Sequence, residues 1–320
     1  MDIESRFSIN IISICYGIDF FFGEKEAVKK EEVFQSLYKN KFIEFTGFKV
    51  ISSAVVSENT NCSPKGIVLI LPAALSVDYQ GYVVQKGERL SVKLSEIDKF
   101  VYNSTYGNYE AVSNFLNSEG YSTIRMNFTE YVSDYGYYDY VKELKAMCKI
   151  LNENYGFVQN LILFGHGPIG SVTVMDVYSE IPAKGIIMMG GASVTPYEDA
   201  YQYLKANKQK FVESDILFWK EILSIKSDTI LEKLKAISIP TLVMFTMEEL
   251  VYNLTLVKSA EKINNSNLEI KRLFCTTGVL VERDLSKFDS LRLYVIREDR
   301  KLTVCKRVKQ AIKAWLDDTM

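Results

Sequence analysis

Apolar residues in this chain follow two rhythms. Four stretches are apolar at nearly every position: Gly66 to Leu71 (closed by Pro72), Leu161 to Phe164, Gly185 to Met189 and Pro240 to Phe245. Runs of that length with no polar face read as strands buried on both sides, as in a parallel sheet. Between them the spacing becomes helical. Val112, Phe115 and Leu116 line one face of 109–119, which Gly120 closes as a C-cap. Val141, Leu144, Met147, Cys148 and Leu151 line a second helix. Further helices are predicted over Val172 to Tyr178, over 195–235 with Trp219 inside, around Ala260, and over Thr303 to Trp315. Tyr121 to Phe128 and Leu268 to Cys275 read as strands, with an extra one possible at Leu291 to Ile296. Near the amino terminus, 7–22 and 42–57 read as strands, and Glu24 to Lys39 as a short surface helix carrying Val28, Phe34 and Leu37. Residues 75–106 are polar and without strong period. They are too long for a compact connection and read as an insertion.

Strands alternating with helices from residue 66 onward predict an α/β fold: a doubly wound, mostly parallel sheet with helices on both faces. The helical excursion breaks that alternation and is expected to cap the strands' carboxyl ends, where ligands bind in such sheets. The expected organisation is an N-terminal strand and helix extension (1–44), a core (45–191 and 237–320) and a small helical cap (192–236).

Charge and composition narrow the function. With 38 basic and 40 acidic residues among 320, the net charge is −2, and no excess of cations exists to pair with phosphates. Nucleic acid and anionic membranes are therefore not expected partners. Cys15, Cys62, Cys148, Cys275 and Cys305 are scattered and form no C-x-x-C pair. They read as reduced thiols of a cytoplasmic protein. The start, Met1-Asp2-Ile3-Glu4, has no cationic leader, and Phe7 to Phe22 is too interrupted to span a bilayer. A single histidine, His166, makes a zinc site implausible, and no cofactor is expected. Gly165-His-Gly-Pro-Ile-Gly170 superficially fits the dinucleotide fingerprint, but proline stands where phosphate-facing amides are needed.

That segment carries a different likeness. Asn160-Leu-Ile-Leu-Phe-Gly-His-Gly-Pro-Ile-Gly170, a strand ending in a sharp turn, resembles the nucleophile elbow of the α/β-hydrolase superfamily, often written Gly-His-Ser-x-Gly-Gly. Gly165, His166 and Gly170 match that form. Tyr109 to Phe128, and Ile239-Pro-Thr-Leu-Val243 after the cap, stand in the expected order, so the resemblance spans residues 45–320. The cap stretch Phe211 to Val251 is also similar in outline to acyl-protein thioesterases of luminous bacteria, which implies an acyl-group lineage.

The resemblance also shows what is missing. Gly167 occupies the nucleophile position and has no side chain to form an acyl-enzyme. Pro168 follows, where the family uses a backbone N–H as an oxyanion donor, and proline has none. The loop after the last core strand, Thr276 to Arg283, holds no histidine to act as base. Glu248 or Glu249 can occupy the acid position, but would have no imidazole to orient. Ser171 lies about one helical turn past the elbow and is expected to face helix packing. The resemblance implies a ligand pocket lined by Pro72, Ala73, Ala74, Tyr131, Tyr135, Trp219 and Cys275.

Plain structural readings stand beside these. Gly167 and Pro168 also make a sound strand-to-helix turn. His166 reads as a hydrogen-bonded packing residue, Glu248 and Glu249 as a solvated pair, and Trp219 as core. The tyrosines at 131, 135, 137, 138 and 140 read as mixed surface and core. Three functions remain open. The chain is a non-hydrolytic protein that binds an acyl, lipid-like or peptide-like small molecule or serves a biosynthetic enzyme as accessory partner. Or it is an enzyme of other chemistry, such as proton transfer or isomerisation, using His166, Glu248 and tyrosine hydroxyls. Or it is an esterase-like or thioesterase-like hydrolase with a displaced triad.

Overall fold

A computed structural model of the chain describes residues 9–10, 38–46, 51–59, 64–72, 84–85, 88–89, 108–128, 136–155, 160–190, 205, 217, 220–222, 224–225, 227–246, 250, 254–274 and 304–320. The strands are β1 (Ile9–Asn10), β2 (Tyr38–Thr46), β3 (Ile51–Asn59), β4 (Ile67–Leu71), β5 (Val84–Gln85), β6 (Glu88–Arg89), β7 (Ser122–Phe128), β8 (Leu161–His166), β9 (Ala183–Met189), β10 (Thr241–Phe245) and β11 (Leu268–Arg272). The helices are α1 (Asn108–Ser118), α2 (Tyr137–Tyr155), α3 (Gly167–Val177), α4 (Ser227–Ala236), α5 (Leu254–Ala260) and α6 (Lys306–Thr319).

Nine strands form one sheet in the order β1-β2-β3-β7-β4-β8-β9-β10-β11. From β7 to β11 every neighbouring pair is parallel, while β1, β2 and β3 add an antiparallel edge. The predicted doubly wound, mostly parallel sheet is what forms. β8 and β10 are buried at every position, as their unbroken apolar runs require. α3 is buried almost all round, through Ile169, Val172, Val174, Met175 and Val177. It is therefore a core helix and not an amphipathic surface one.

Several boundaries differ from the expectation. The single strand predicted over 42–57 is two: Thr46 pairs with Ile51, so β2 and β3 are antiparallel partners. The signal available in the sequence was Gly47, a breaker within 42–57. Tyr38 and Lys39, assigned to a helix, begin β2, because strand pairing with Asn59 and Glu58 claims them. The strand predicted to reach Cys275 stops at Arg272. Inside 75–106, β5 and β6 pair antiparallel, Val84 with Arg89 and Gln85 with Glu88. Gly120 does cap α1: at φ 94 it lets Tyr121 N–H reach Leu116 O and its own N–H reach Asn117 O. The extra strand at 291–296, most of 7–37 and most of 195–235 lie outside the described residues.

Asp176 ties three helices together. Its carboxylate accepts from the Tyr137 hydroxyl of α2 at 2.5 Å and pairs with Lys233 of α4. Tyr137 and Tyr140 are fully buried, and burial holds both phenols well above their ordinary value of 10.0. Burial likewise pushes the Cys148 thiol up from 9.0 to about 12. Above pH 9 the unfolded chain therefore releases protons that the folded chain keeps, and stability must fall as pH rises. We expect the urea midpoint to hold between pH 7 and 8.5 and to drop progressively from pH 9 to 12. A flat profile would show these groups to be solvated.

Candidate functional site

β4 and β8 are neighbours, but their connections leave in opposite directions: β4 leads to β7 on one side, β8 to β9 on the other. In open α/β sheets the crevice outside the carboxyl ends of two such strands is where ligands bind. Leu71 pairs with Gly165 in register, so buried Pro72 stands beside His166 at that switch point.

The chain turns there abruptly. His166 closes β8 in an extended conformation (φ −101, ψ 135). Gly167 then adopts φ 63, in the left-handed region where other residues pay roughly 1–2 kcal/mol. α3 begins at once, with proline in its first turn and no side-chain cap from His166. Two further glycines make room. A Cβ on Gly165 would sit 2.4 Å from Gly170 O, and one on Gly170 would sit 2.8 Å from Leu71 O. Strand, helix and neighbouring strand thus meet backbone to backbone.

Behind the turn lies a buried polar pair. His166 is 1% exposed, and its Nδ1 is hydrogen-bonded to the Tyr109 hydroxyl at 2.9 Å. The two rings meet edge-on, centroids 5.5 Å apart. Tyr109 comes from the first turn of α1 and is itself 2% exposed. Tyr140 is close enough to raise its own pKa against Tyr109, a smaller effect than its burial. Ser171 is fully buried in α3, and its hydroxyl is directed back to Gly165 O at 3.4 Å. Thr173 does the same more closely, donating to Ile169 O at 2.7 Å.

Of the predicted site residues, the structure brings together Pro72, Gly165, His166 and Gly167, with Pro168 in the first turn of α3. Ala73, Ala74, Tyr131, Tyr135, Trp219, Glu248, Glu249 and Cys275 lie outside the described residues. On either side of that pair of glutamates, Leu250 N–H donates to Thr246 O at 3.1 Å. Sequence reading missed Tyr109 as a partner of His166. The two are 57 positions apart, and no local pattern joins them. Among the described residues no three metal-ligating side chains cluster, and no helix is long and apolar enough to cross a membrane.

No protein-family model matches this chain, and no curated protein matches it in sequence. Solved structures do resemble it. A dienelactone hydrolase from Anabaena variabilis superposes with a TM-score of 0.54 at 11% identity, covering 89% of this chain and 99% of its own. An esterase from Pyrococcus furiosus gives 0.52 at 15% identity, covering 88% and 92%. At such identities the likeness is one of fold.

Proposed function

Since the chain has the α/β-hydrolase fold but a glycine at the apex of its elbow, we propose that it is a non-hydrolytic member that binds an acyl or lipid-like small molecule. One observation carries this reading: Gly167 holds the strained position, φ 63, from which a hydrolase of this fold presents its nucleophile. With no side chain there, no acyl-enzyme can form. Pro168 offers no amide to a developing oxyanion. Loss of one such donor costs roughly 2.7–4 kcal/mol of transition-state stabilisation. The only imidazole in the chain is held behind the turn by Tyr109, and the nearby Ser171 hydroxyl is directed into the elbow's own backbone.

The ligand class follows from lineage. A fold inherited from hydrolases keeps a cleft at the switch point after its chemistry is lost, because the cleft is set by strand order and the chemistry by a few side chains. The similarity of Phe211 to Val251 to acyl-protein thioesterases favours an acyl compound. A peptide-like molecule, or docking to a biosynthetic enzyme, would use the same cleft.

A fluorophosphonate probe and p-nitrophenyl butyrate test the reading on the whole protein. We expect no labelled serine and no burst of p-nitrophenol. A single labelled serine whose replacement abolishes turnover would make the chain an esterase with a displaced nucleophile. Native mass spectrometry of protein purified from its own host should show a ligand that is held unchanged. Conversion of that ligand over time would indicate non-triad catalysis.

A further inference from the structure

We draw no further inference here: the strongest candidate, the open polar cleft between α2 and α4 beside Asp176, carries nothing because its two lysines are already spent within the fold, Lys145 on Glu180 and Lys233 on Asp176.

Discussion

Gly165→Ala should be strongly destabilising, because the added methyl group has only fixed backbone to push against. The new Cβ would stand 2.4 Å from Gly170 O, 2.6 Å from Gly170 C and 2.9 Å from Ser171 N. All three atoms are backbone, so no rotamer change relieves the overlap. α3 would have to move away from β8, and α3 is buried on nearly every side. Overpacking a core typically costs about 1–3 kcal/mol. Here the cost should lie at or above the top of that range, seen as loss of soluble protein or a large fall in urea midpoint. Gly167→Ala, two residues on, provides the comparison. Its penalty is that of a left-handed φ for a residue with a Cβ, roughly 1–2 kcal/mol. If Gly165→Ala proved as stable as wild type, the backbone-to-backbone approach at the elbow would be wrong.

The second large effect is expected at the carboxyl terminus. Val308, Ile312, Trp315 and Leu316 form the buried stripe of α6. Trp315 is 4% exposed, and its ring lies against Gly185 of β9, where a Cβ would meet Trp315 Cη2 at 2.6 Å. Trp315→Ala removes that ring from the core and should cost about 3–5 kcal/mol, measured by chemical denaturation. Gly185→Ala alone should be destabilising, because the indole is rigid and enclosed. In the double variant the added methyl enters the space the ring has left, so the costs should not add. Coupling between the two sites should exceed the roughly 0.5 kcal/mol error of independent sites. Simple additivity would mean that α6 docks elsewhere.

How much of this was legible in the sequence depended on how local the cause was. β4, β8, β9 and β10 declared themselves because a strand buried on both faces has no polar position to hide. The elbow was legible for a similar reason: Gly165, Gly167, Pro168 and Gly170 act through their own backbones, within six consecutive residues. The pairing of β2 with β3 was lost because the only break in pattern between them in the sequence is a single weak turn signal, Gly47. The pairing of His166 with Tyr109 could not be read at all, since it needs α1 and β8 to be placed in space first.

The glycine-proline elbow also bears on descent. Restoring a hydroxyl with Gly167→Ser would leave Pro168 without an amide and His166 still bonded to Tyr109. A second change would have to supply the amide, and a third an imidazole within reach. None of these steps improves ester cleavage until the others are present, so selection has no slope to climb. Three separate changes would therefore have to come together before this elbow could cleave an ester by the nucleophilic route.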